Sequence, residues 1–151
     1  MITQQQAAEQ KDRLPTGWGR FGKAIDHLIQ VSQPDEELLA ACVTLNPTFV
    51  HRSITLAGAV SELTKSMNVV LAATNHRLII VATGAGGSPM RDETLSYTGL
   101  EIVARDKKEL TLRWPDGEAR FRGAAKPMLP LLLTVLDGQI RAGGASAGPD
   151  S

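Results

Sequence analysis

Asn68-Val69-Val70-Leu71-Ala72-Ala73-Thr74-Asn75-His76-Arg77-Leu78-Ile79-Ile80-Val81-Ala82-Thr83 is the stretch that decides the fold. Two apolar runs rich in Val and Ile flank a polar tetrad, Thr74 to Arg77. β-Branched side chains suit a pleated surface and the tetrad has the polarity of a turn, so the runs read as adjacent antiparallel strands through a core. Downstream, residues 93–97 and 100–104 read as short strands parted by Gly99, and the charged tract Arg105-Asp106-Lys107-Lys108-Glu109 as a turn. Residues 110–114 alternate apolar with polar, the mark of a strand with one wet face. Pro115-Asp116-Gly117 then supplies hairpin chemistry, with Gly117 expected in a left-handed position. Residues 119–122 return in a register expected to pair Trp114 with Ala119, Leu112 with Phe121 and Arg113 with Arg120.

Upstream, residues 38–45 read as a first strand closed by Asn46-Pro47, followed by an excursion over 48–66 with a short helix near 60–65. Trp18, Phe21, Ile25, Leu28 and Ile29 fall on one face of a helix, placed over residues 18–34 with its punctuation. Residues 1–17, polar and Gln-rich, are expected to be a flexible arm with a turn or two of helix. At the other end Leu129, Leu132, Leu133, Leu136 and Ile140 mark an amphipathic helix closing a domain of residues 35–141, kinked or frayed at Gly138. A disordered tail is expected over 142–151. The order of one helix, about seven short strands and one closing helix gives an α+β, mainly β fold: a bent antiparallel sheet or open barrel capped by the C-terminal helix.

The 151 residues suffice for one domain with a real core. Sixteen basic and sixteen acidic residues cancel, and neither half of the chain carries an excess large enough for an electrostatic footprint, which argues against a nucleic-acid partner. The single cysteine, Cys42, allows no intrachain disulfide and no cysteine-based zinc site. No secretory signal pattern or membrane-length apolar run is present, so the expected location is the cytoplasm, with peripheral membrane attachment as the alternative.

The search for chemistry finds no assembled active site. His27, His51 and His76 lie in different elements without metal-ligand spacing. Cys42 sits inside an apolar strand, where thiols pack rather than react, which argues against a nucleophile pair with a histidine. Glu36/Glu37 and Asp92/Glu93 are neighbours in extended chain and point to opposite faces. The glycines of Gly84-Ala85-Gly86-Gly87-Ser88-Pro89 lack the third glycine and following helix of a dinucleotide-binding turn. Arg113, Arg120 and Arg122 read as a solvated strand face that discourages edge pairing. No cofactor and no metal are expected, and the chain is read as a non-enzyme.

With the element order in place, Thr74-x-x-Arg77-Leu78-Ile79 between two strands resembles the bacterial pleckstrin-homology-like domains, including the YokE-like group and the related GRAM domains. The strand opening at Glu37-Leu38-Leu39, the Asp116-Gly117 hairpin and the closing helix are similar in kind, so the resemblance spans roughly residues 35–141. It implies a seven-stranded bent sheet with a helix plugging one corner, and binding rather than catalysis. It also implies a basic pattern on the first two strands for inositol-lipid binders, which residues 38–45 lack entirely. The expected function is a non-catalytic binding or scaffold module engaging a protein partner or a second copy of itself, with Trp18 and Phe21 as candidate contacts. The alternatives are a peripheral module that meets anionic lipid through Arg52, Lys65, Lys107 and Lys108, and an enzyme of unrecognised class.

Overall fold

A computed structural model describes residues 1–50 and 68–146. Its centre is an antiparallel sheet of seven strands: β1 (Leu38–Val50), β2 (Val69–Thr74), β3 (Leu78–Thr83), β4 (Pro89–Leu95), β5 (Glu101–Arg105), β6 (Leu110–Trp114) and β7 (Gly117–Arg122). They lie in the order β4-β3-β2-β1-β7-β6-β5. The sheet is not closed into a barrel. Helices α1 (Gln4–Lys11) and α2 (Gly22–Val31) precede it, and α3 (Leu129–Ser146) follows.

Long β1 joins the two halves of the sheet. Its first part pairs with β2, from Leu38 opposite Thr74 to Thr44 opposite Val69, and its second part pairs with β7, from Leu45 opposite Arg122 onward. The change of partner falls at an irregularity between Leu45 and Thr48. A strand that switches sheets at a bulge makes a corner. Here the bulge also houses Pro47, which has no N–H for a ladder, so Asn46-Pro47 does not end the strand as its sequence suggests.

Both central strands form as the sequence predicts, and all six residues of each are buried. Successive side chains of a strand point to opposite faces, so this half of the sheet is covered on both sides. The cover is helical: α1 and α3 both rest on β1, α3 reaches β2, and α2 touches β4. In β6 and β7 buried residues alternate with more exposed ones, the pattern of one wet face. Hydrophobic period therefore distinguishes β2 and β3 from β6 and β7.

Several boundaries differ from expectation for identifiable reasons. The β6–β7 turn is the two-residue Pro115-Asp116, and Trp114 pairs with Gly117, Leu112 with Ala119 and Leu110 with Phe121. The pairing is thus two residues tighter than the sequence reading, and a shift of two leaves every side chain on its expected face. Gly117 is not in the left-handed region. It is small because the Trp114 indole lies over it: a Cβ there would come within 2.6 Å of Trp114 Cζ2. β4 begins at Pro89 rather than near residue 93, with proline at the first position of an edge strand, where no ladder N–H is needed.

The arm expected over residues 1–17 packs on the domain, and its expected turn or two of helix is α1. Thr3 and Gln6 form a capping box at the start of α1, and Ile2, Ala7 and Gln10 are buried. Gln10 Oε1 accepts the Ala41 N–H at 3.1 Å, tying α1 to β1. The second helical stretch starts later than its apolar face suggests, with a single 3-10 turn (Gly19–Phe21) before α2. α3 runs past Gly138 without interruption to Ser146, beyond the expected end at residue 141. The short helix expected near 60–65 lies outside the described residues.

Candidate functional site

The motif that carried the family resemblance is a buried polar knot. Glu36, fully buried, receives Arg77 Nε at 3.0 Å on Oε2 and Arg77 Nη2 at 3.1 Å on Oε1. Thr74 donates its hydroxyl to Glu36 Oε2 at 2.6 Å and accepts the N–H groups of His76 and Arg77, each at 3.1 Å. Arg77 Nη2 also donates to the Val31 carbonyl at 2.9 Å, and the Tyr97 hydroxyl lies 2.6 Å from the Thr74 carbonyl. Burial pushes the Glu36 carboxyl up, but hydrogen bonds from Arg77, Thr74 and the Gln33 backbone, with the Arg77 charge, hold it below its ordinary value. Both carboxylate oxygens of Glu36 are paired within the knot. Its role is to fasten the β2–β3 turn to the end of α2 and the start of β1.

A cleft that can receive a ligand lies elsewhere, where four separated segments meet. Pro15, Trp18, Leu45, Lys108 and residues 123–127 line an open groove of about 500 Å³. Pro15 and Trp18 are brought together by a turn in which the Trp18 N–H donates to the Pro15 carbonyl at 3.0 Å. Gly17 makes that turn possible, with φ +88° and open space where its Cβ would be. The opposite wall hangs on two backbone bonds, from Ala124 N–H to the Lys108 carbonyl (2.8 Å) and from Ala125 N–H to the Val43 carbonyl (2.9 Å). Gly123, at φ +59°, turns the chain from β7 into this wall. The Ala125 carbonyl then accepts the N–H groups of Met128 and Leu129, leading into α3.

The floor and walls of the groove are mostly apolar, and its charge is on the rim. Lys108 and Lys126 border both the groove and an adjoining depression of about 320 Å³ that also involves Lys107, Asp106 and Glu109. Among the described residues none of these three lysines has an ion pair, whereas Glu109 is held by Arg120 at 3.0 Å. The Asp106 side chain accepts the Lys107 N–H at 2.7 Å.

Of the residues expected to contact ligands, Lys107 and Lys108 stand at this rim, and Arg52 and Lys65 lie outside the described residues. Trp18 is half-buried against the groove, but Phe21 is completely buried and offers no surface to a partner. Its ring packs edge-on to Trp18 at 6.0 Å and lies under the Arg20 guanidinium at 4.4 Å. Phe21 thus acts from behind, bracing Trp18. Lys126 was missed by the sequence reading. The available signal was a lysine just ahead of a helix, where the positive end of the helix dipole disfavours a cation.

The other candidates have structural roles. Arg113 pairs with Glu118 at 2.9 Å, Arg120 with Glu109, and Arg122 donates to Thr48 at 3.0 Å, so this arginine row is matched by its neighbours. His27 Nε2 sits 2.9 Å from Asp92 Oδ2, linking α2 to β4. His76 meets Gln33 at 2.9 Å beside the β2–β3 turn. Cys42 is buried, and burial pushes its thiol up to about 12. Among the described residues no group of three His, Cys, Asp or Glu side chains could hold a metal ion. The glycine loop after β3 packs on protein rather than phosphate: a Cβ on Gly87 would fall 2.4 Å from the Arg20 carbonyl oxygen. No helix among the described residues is long and apolar enough to cross a membrane.

No known family model matches the chain, and neither does any curated protein.

Proposed function

We propose that the chain is a non-catalytic binding module of the pleckstrin-homology-like kind, engaging a protein partner through the groove between Trp18 and residues 123–127. The observation that carries this reading is the groove itself: about 500 Å³, open, apolar within, and bordered by lysines without ion pairs among the described residues. Ligand sites are concave and mostly apolar, with a few polar groups to orient what binds. The seven-strand antiparallel order and the closing helix support the family reading. The Cys42 thiol, buried and held protonated, supports binding over nucleophilic catalysis. His76 lies in the β2–β3 turn beyond the Leu38 end of β1, and Leu38 is itself four residues from Cys42, about 13 Å at the strand rise.

A flat anionic bilayer is the weaker reading, because a concavity does not meet a plane. The proposal is tested by affinity capture with wild-type protein, Trp18→Ala, Lys108→Glu and the distant control Lys23→Glu, each first checked for native circular dichroism. A partner retained by wild type and K23E but lost from W18A and K108E supports the groove. A partner held equally by all four sinks it.

A further inference from the structure

The electrostatics of the groove specify its occupant more narrowly than its shape does. Lys126 precedes α3, whose first turn carries no acidic residue to offset the positive helix end. Lys108 stands across from it on the β5–β6 turn, and Lys107 follows along the same depression. The charges lining this depression are Lys107, Lys108 and Lys126 against Asp106 and Glu109, three positive against two negative. Of the two carboxylates, Glu109 is already held by Arg120. A cation set at the disfavoured end of a helix and without an ion pair among the described residues is a local conflict of the kind found at functional sites. Beside it lie Pro15, Trp18 and Leu45, an apolar seat with no charge of its own.

We propose, resting on the groove as the docking site, that the partner presents a short acidic segment with one bulky apolar side chain. That side chain fills the space between Pro15, Trp18 and Leu45, and carboxylates one or two residues away reach Lys108 and Lys126. The seat supplies affinity by burying apolar surface, and the rim supplies orientation and excludes basic segments. Concavity favours a protruding side chain over a bilayer.

The test is selection of random peptides of about ten residues, displayed on phage, against the full chain at low ionic strength. The expected winners combine Asp or Glu with a neighbouring Leu, Phe or Trp. Their affinity should fall roughly tenfold in Lys108→Glu/Lys126→Glu, fall with added salt, and stay unchanged in Lys23→Glu. Apolar winners with no acidic enrichment, bound through Trp18, would overturn the acidic chemistry while leaving the groove as the docking site. Winners indifferent to both W18A and the double lysine variant, or no enrichment at all, would overturn the groove as well. Phosphatidylserine vesicles that bind through the same lysines more tightly than any selected peptide would also overturn the proposal, in favour of a lipid surface.

Discussion

Arg77 fastens the β2–β3 turn, and the partner that explains it is forty-one residues earlier in the chain. Glu36 is fully buried and accepts from Arg77, Thr74 and the Gln33 backbone, so removing the guanidinium leaves a carboxylate without its counter-charge. Arg77→Ala should cost about 3–5 kcal/mol in urea denaturation. The pH dependence has a defined sign. The folded Glu36 carboxyl lies below its ordinary 4.5, so its contribution is complete above that value and is lost as pH falls through the lower folded one. Glu36→Gln should therefore flatten the stability curve below about pH 4.5, read from thermal melts across the acid range. Gly117 makes a second residue-scale case. With Trp114 Cζ2 2.6 Å from where a Cβ would go, Gly117→Ala should destabilise by about 1–3 kcal/mol. Gly86, with nothing within 4 Å, should tolerate the same change with little loss, and equal melting shifts for the two would contradict the packing argument.

At the scale of elements, the helix least visible in the sequence makes the sharpest prediction. α1 has little amphipathic pattern, but Gln10 reaches a backbone N–H inside the sheet. Gln10→Ala should cost about 1–3 kcal/mol by leaving that donor unpaired, and Thr3→Ala about 1 kcal/mol by opening the capping box. A flexible arm would leave chemical stability unchanged in both variants. The strands were far easier to read. β2 and β3 announce themselves by unbroken apolar runs because both faces are covered, and β6 and β7 by alternation because one face is wet. What local pattern missed was imposed from outside. Pro47 looks like a stop until the change of partner at the β1 corner gives it a place without a ladder bond. The hairpin register turned on a two-residue turn and on the fit of Gly117 beneath Trp114. Gly138 looks like a helix breaker and Gly143 falls in the expected tail, yet α3 continues through both, with Tyr97 only 3.3 Å from where a Cβ on Gly143 would go.

For the molecule as a whole, the groove has no single stretch of sequence behind it. Its walls come from a turn at Pro15–Trp18, a corner residue of β1, the β5–β6 turn and the connection from β7 to α3. Lys107 and Lys108 stood out as a charged pair, and Trp18 as a surface aromatic. Only the fold brings them to one place and adds Lys126. The two indoles make the claim directly measurable. Trp18 borders the groove, whereas Trp114 is buried at 5 % exposure at the β6–β7 turn. In a proton–nitrogen NMR titration with a peptide carrying one Leu among Asp and Glu residues, the Trp18 indole signal and the amides of Lys108 and Gly123 should move together, with the Trp114 indole unmoved. Shifts confined to the β4 or β5 edge, with the Trp18 and Gly123 signals still, would contradict the account.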